Sequence, residues 1–172
     1  MHSYRGVSDL KDVVDALKGG GKKYLLLKLN DKQYGIEIRY VENVVRVPKI
    51  TRVPKSQDYF KGVINLRGDV IAVMSLRLRM KQKDDVFTDD SRIVIINAGR
   101  EGYVGILVDQ VNGMAELPEE DIEPGCEEDC ADSFIFGKGK YEDELIFLLD
   151  TDAVIREKEY NKYGGSEWEN LH

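Results

Sequence analysis

The stretch Gly62-Val63-Ile64-Asn65-Leu66-Arg67-Gly68-Asp69-Val70-Ile71-Ala72-Val73 most constrains what this chain can become. One apolar run stops at Arg67-Gly68-Asp69 and a second starts at once. Two β-strands therefore meet at a tight turn, because Gly-Asp chemistry supplies the positive or bridging φ that such a turn needs. The stretch holds no acid–base pair, no metal-spaced ligands and no phosphate loop. It is built to make a sheet and present its surface, which points toward binding rather than catalysis.

The same period of two governs the chain from Tyr24 onward. Leu25, Leu27 and Leu29 share one strand face, Asn30-Asp31-Lys32 turns, and Tyr34, Ile36 and Ile38 alternate on a second strand. Arg39 to Val45 breaks the alternation, and Val41, Val44 and Val45 suit a short helical turn. Pro48 and Pro54 bracket an edge or loop, since proline cannot donate to a central ladder. Lys81 to Asp90 reads as a polar, charged loop. Strands resume at Arg92–Asn97 and Tyr103–Val108, joined by a turn through Gly99 and Gly102. Asp150-Thr151-Asp152 opens a closing helix, its acids favoured by the helix dipole.

The second half repeats the first weakly. At an offset of 70, Gly35, Ile36, Ile38, Val41, Val47 and Pro48 face Gly105, Ile106, Val108, Val111, Leu117 and Pro118; at an offset of 75, Ile71, Val73 and Met74 face Ile146, Leu148 and Leu149. The added residues fall in a loop, where insertions are tolerated. A unit of this size suggests duplicated small β-barrels sharing an apolar seam, each too small to bury a generous core alone.

Outside this body, residues 1–22 form an extension. Leu10, Val13, Val14 and Leu17 follow the spacing of an amphipathic helix, with Ser8 as cap and Gly19-Gly20-Gly21 as terminator. The helix either packs on its own domain or docks a partner. Gly19 to Lys23 fails as a phosphate loop, because Ala16 stands where the first glycine belongs. Residues 161–172 read as a frayed tail.

Several function classes are disfavoured. The net charge of −7 argues against nucleic acid, whose binders usually carry a coherent basic face. Arg46, Lys49, Arg52 and Lys55, and then Arg77, Arg79, Lys81 and Lys83, make two local basic stretches, either solvated rim or a patch for an acidic protein. A small-barrel nucleic-acid binder remains the alternative, but Tyr34, Tyr40, Tyr59 and Phe60 sit among apolar residues and read as core. The only histidines are His2 and His172, so the commonest general base is missing and no catalytic residues are expected. Cys126 and Cys130 lie among acids, which favours reduced thiols over a local disulfide or a metal site. The acidic runs at Glu119–Asp121 and Glu127–Asp129 read as solvated, so neither metal nor cofactor is expected. No apolar stretch approaches the ~20 residues that span a bilayer, and the N-terminus lacks a signal-peptide pattern, so a cytoplasmic protein is expected. One charged pair stands out: Glu42 and Arg67 both neighbour large apolar residues, and neither is cheaply buried alone, so they are expected to meet and anchor the turn.

Tyr34-Gly35-Ile36-Glu37-Ile38, Val41-Glu42-Asn43-Val44, Ile50-Thr51-Arg52-Val53-Pro54 and Gly62-Val63-Ile64-Asn65-Leu66-Arg67-Gly68 resemble, in order and spacing, the CheW family of bacterial chemotaxis coupling proteins. The likeness spans residues 23–160. It implies a mainly β fold of two SH3-like five-stranded β-barrels with a hydrophobic seam, and a non-enzymatic scaffold. It further implies that the scaffold bridges chemoreceptor cytoplasmic tips to the histidine kinase CheA at membrane-associated arrays. The receptor hairpin would lie in the seam near Ile38, Val41 and Val44, as a helix in a groove. Kinase contact would use Val47, Ile50, Thr51 and Val63. The extension before Lys23 departs from the compact family pattern and leaves room for a role in a related motility or alternative signalling array.

Overall fold

The structure, a computed structural model, describes residues 22–125 and 134–156. The expected N-terminal helix, Cys126, Cys130 and the tail lie outside the described residues. The strands are β1 (Lys23–Leu29), β2 (Lys32–Glu37), β3 (Val41–Arg46), β4 (Phe60–Leu66), β5 (Asp69–Ser75), β6 (Arg92–Asn97), β7 (Tyr103–Val108), β8 (Gln110–Glu116), β9 (Glu123–Pro124), β10 (Ile135–Tyr141) and β11 (Glu144–Leu149). Two short helices, α1 (Leu76–Arg79) and α2 (Thr151–Ile155), follow β5 and β11.

One sheet runs β8-β1-β2-β11-β10-β9 and the other β3-β6-β7-β5-β4. Matching β3 to β8, β6 to β1, β7 to β2, β5 to β11 and β4 to β10 gives the same order in both. The weak repeat is therefore a repeat of topology, but its units interleave along the chain. The β1–β2 hairpin sits with the C-terminal strands, while β3 to β7 form the other sheet. Each sheet holds one parallel pair, β2 with β11 and β5 with β7. Gly35 and Gly105 stand at equivalent places there, opposite Leu148 and Val73. A Cβ on Gly105 would come within 2.7 Å of Ile93 Cγ2, so the close strand packing excludes a side chain.

Hairpin turns follow from the sequence. Leu66 pairs with Asp69 across a two-residue loop in which Arg67 and Gly68 have φ of 53° and 90°. Positive φ at both positions matches the twist of the flanking strands. Asn65 Oδ1 accepts from the Gly68 N–H at 3.1 Å, which braces the turn. Asp150 caps α2 by accepting from the Ala153 N–H.

Residues 38–46 differ from the expected helical turn. A single 3₁₀ turn covers Ile38–Tyr40, and Val41–Arg46 is strand. The broken alternation comes from a register shift between Val41 and Asn43 against β6. Such a shift puts neighbouring side chains on one face, which imitates helical spacing.

Burial explains the long apolar runs. Leu25, Leu27 and Leu29 of β1 and Val94 and Ile96 of β6 belong to one cluster drawn from both sheets, the shared seam. On the opposite faces, Tyr24 and Leu26 join Ile146 and Leu148, while Ile93 and Ile95 join Ile64, Ile71 and Val73. Strands β1 and β6 are thus buried on both faces, which is why they read as continuous apolar runs. Tyr24 shows the cost of this. Its hydroxyl is buried without a hydrogen-bond partner among the described residues, and burial beside Glu37 and Glu119 pushes its pKa up to about 12. The unfolded chain ionises near 10. Tyr24 therefore supports folding fully below pH 10, and that support is lost as pH climbs through about 12. Denaturation across this window should show wild type losing stability relative to Tyr24→Phe; parallel curves would refute the assignment.

Candidate functional site

The strongest local convergence lies where β4 meets the segment after β3. The Thr51 N–H donates to Val63 C=O and the Val63 N–H donates to Thr51 C=O, both at 2.8 Å. This isolated bridge pins residues 47–51 against the edge of the five-stranded sheet, because β4 is an outer strand. Val47 and Ile50 are half-buried on the cluster of Val45, Ile64, Ile71 and Val73. Thr51 is exposed and Val63 half-buried. Val47, Ile50, Thr51 and Val63 are therefore brought onto one partly apolar edge.

Gly62 permits that approach. It has φ of 136°, and a Cβ there would fall 2.1 Å from the Thr51 carbonyl oxygen. Only glycine lets the two backbones lie this close.

Ile38, Val41 and Val44 are also together, but as core. They are 2%, 0% and 2% exposed and belong to the seam cluster, along with Val154 of α2. Around them the junction between the sheets is filled by side chains from both. What faces solvent above them is a rim. Tyr40 is half-buried, and Arg39 lies over its ring at 4.6 Å while donating to Glu37 at 2.9 Å.

For the expected Glu42–Arg67 pair, the described residues give the place of each side chain. Glu42 lies on β3, one edge of the sheet, and Arg67 is exposed in the turn that leaves β4, the other edge. Positive φ at Arg67 places it at the hairpin tip rather than along the strand face.

Two arginines of the second basic stretch make structural contacts. Arg77 makes a two-pronged contact with Asp109, Nε to Oδ1 at 2.7 Å and Nη2 to Oδ2 at 2.5 Å. Asp109 joins β7 to β8, one strand from each sheet, and its Oδ2 also accepts from the Asn30 N–H at 2.9 Å. This clamp ties the sheets at one end of the seam. A planar fork on a carboxylate fixes orientation as well as charge. Arg79 is buried; its Nε donates to Val154 C=O at 3.0 Å, and Nη2 donates to the Ala153 and Arg156 carbonyls. Its guanidinium is sandwiched between the Tyr59 and Phe134 rings at 4.5 and 4.8 Å. A cation on the last carbonyls of α2 takes the place of a C-cap. The alternation Leu76-Arg77-Leu78-Arg79 offered no sign of either role, because both partners lie far along the chain.

The loop after α1 is anchored by acids. Asp85 Oδ2 accepts from the Ser75 hydroxyl at 2.5 Å, and Lys61 Nζ lies 2.7 Å from Asp84 Oδ1. Burial raises the Asp85 pKa above the ordinary carboxylate value, while the Lys61 ammonium lowers that of Asp84. Among the described residues no group of three or more His, Cys, Asp or Glu is arranged to hold a metal ion, and no helix is long and apolar enough to cross a membrane.

The described body matches known proteins. A family model, the CheW-like domain, covers residues 23–159. The chemotaxis protein CheW of Bacillus subtilis is 37% identical over 138 residues, 78% of this chain and 87% of that protein. The CheW of Thermotoga maritima is 30% identical over 148 residues, 86% and 95% of the two chains. The crystal structure of the scaffolding protein TtCheW from Thermoanaerobacter tengcongensis superposes with a TM-score of 0.73 at 30% identity, covering 81% of this chain and 95% of that one.

Proposed function

The chain belongs to the CheW family, and from that premise we propose that it is a cytoplasmic, non-enzymatic chemotaxis adaptor linking chemoreceptor tips to the histidine kinase CheA at receptor arrays. The observation that carries this is the family match along nearly the whole two-sheet body, residues 23–159. In this reading each sheet is an SH3-like barrel, residues 23–160 are the working domain, and residues 1–22 and 161–172 are appendages.

The kinase meets the edge made by Val47, Ile50, Thr51 and Val63. Half-buried apolar side chains held rigidly by a backbone bridge give a partner dry contact without an ordering cost. The receptor helix lies near Ile38, Val41 and Val44, where it meets the solvent-facing Arg39–Tyr40 rim while the three apolar side chains support that rim from the core. Val41→Asp is a poor test of that contact, because a carboxylate at a fully buried position disturbs the fold itself.

Thr51→Arg is the sharper variant, since the Thr51 side chain is exposed and only its backbone makes the bridge. Co-sedimentation with kinase should weaken at least about tenfold, as for a residue at the centre of an interface. Receptor binding and melting temperature should hold. Unchanged kinase binding would remove this edge from the proposal; failure of the unaltered protein to bind either partner would remove the adaptor reading itself.

A further inference from the structure

Beyond its adaptor role, we propose that the chain carries an anion pocket of about 410 Å³, lined by Arg46, Val47, Thr88, Asp89, Ser91 and Arg92, that takes a phosphate-class dianion. Arg46 and Arg92 are direct partners at the last position of the β3–β6 ladder. Directly opposed residues in an antiparallel pair project from the same face with Cβ atoms roughly 5 Å apart, and like charges placed so are unfavourable. A sheet end that brings two arginines to one pocket gains most when an anion sits there.

The arginines are poised for this. Arg92 Nη1 donates to the Asp89 and Ser91 carbonyls at 2.7 and 2.8 Å, which orients its fork and leaves Nε and Nη2 for a ligand. Arg46 is exposed, and among the described residues no salt bridge ties either arginine to an acid. The far wall is a short turn held by its own hydroxyls. Ser91 Oγ accepts from the Thr88 N–H at 2.9 Å, and Thr88 Oγ1 accepts from the Asp90 N–H at 3.1 Å. Each hydroxyl accepts in these bonds and keeps its proton for donation to a ligand. Asp89 is the one acid in the lining, so two arginines outweigh one carboxylate. Paired planar forks with added hydroxyl donors suit a tetrahedral dianion better than a halide.

The test is titration of the full chain with inorganic phosphate, ionic strength held constant with sodium chloride, followed by amide NMR shifts at residues 88–92. A second arm uses free phosphoserine. Saturable shifts are expected, weakened at least tenfold in Arg46→Gln and partly retained in Arg46→Lys, which keeps the charge but not the fork. The Arg46 side chain makes no hydrogen bond or salt bridge among the described residues, and the ladder uses only its backbone, so the variant should melt with the wild type. Tighter binding of phosphoserine would identify an esterified phosphate as the ligand, and tighter binding of inorganic phosphate a free one. Shifts that follow ionic strength alone in both arms, or equal binding by Arg46→Gln, would overturn the site.

Discussion

Gly62→Ala should destabilise the protein by about 3–5 kcal/mol, the sum of roughly 1–3 for a side chain at an unfavourable positive φ and roughly 1 for each strained hydrogen bond. The new methyl would stand 2.1 Å from the Thr51 carbonyl oxygen, a backbone atom that cannot swing aside. Either β4 or the Thr51 segment must move, and both 2.8 Å bonds between Thr51 and Val63 go with it. Typical domains have about 5–15 kcal/mol in hand, so a large part of the stability is at stake. Urea denaturation gives the magnitude. A midpoint within error of wild type would show that the two backbones are not held in this contact. Gly68→Ala is the control: its φ is also positive, at 90°, but nothing lies within 4 Å of the added carbon. It should cost only the conformational part.

Arg79→Ala should cost about 3 kcal/mol, since hydrogen bonds from a charged donor contribute roughly 1.5–3 and the two ring contacts add to them. Removal strands the Ala153, Val154 and Arg156 carbonyls at the end of α2, in a site walled by Tyr59 and Phe134. Loss should be local first. Hydrogen exchange at residues 153–156 should accelerate before that of β6 does, because α2 is only five residues long and depends on its docking. Arg79→Lys keeps the cation without the fork and should fall between the two. If exchange at α2 is unaltered in Arg79→Ala, the helix is held by Val154 and Ile155 in the seam and not by the guanidinium.

Much of the strand plan was legible because alternation and turn chemistry act locally. The hairpin at Arg67-Gly68 and the cap at Asp150 need only neighbouring residues, and both form. Val41 to Val45 misled because a register shift is set by the partner strand β6, which lies some fifty residues on. Val47, Ile50, Thr51 and Val63 rest on a family resemblance as a site; the backbone bridge joins Thr51 to Val63, and Val47 and Ile50 pack on one cluster. Ile38, Val41 and Val44 came from the same source, yet their burial follows from the opposing sheet, which no local pattern reports. Glu42 and Arg67 share apolar surroundings in the sequence, a pattern that carries no information on strand order. The Arg77–Asp109 clamp and the Arg79 sandwich escaped notice because each joins elements far apart in sequence.

The exchange of hairpins between the two sheets bears on how the protein is made. Strands β1 and β2 are synthesised before β3 to β7, yet their sheet neighbours β8 and β11 are synthesised after them. The nascent N-terminal hairpin must wait, unpaired on both sides, while β3 to β7 assemble in the interval. Contacts of such long sequence separation slow folding. They also mean that no single cut in the chain yields two self-sufficient halves: a fragment ending after β7 would strip Tyr24 and Leu26 of the Ile146 and Leu148 they pack against.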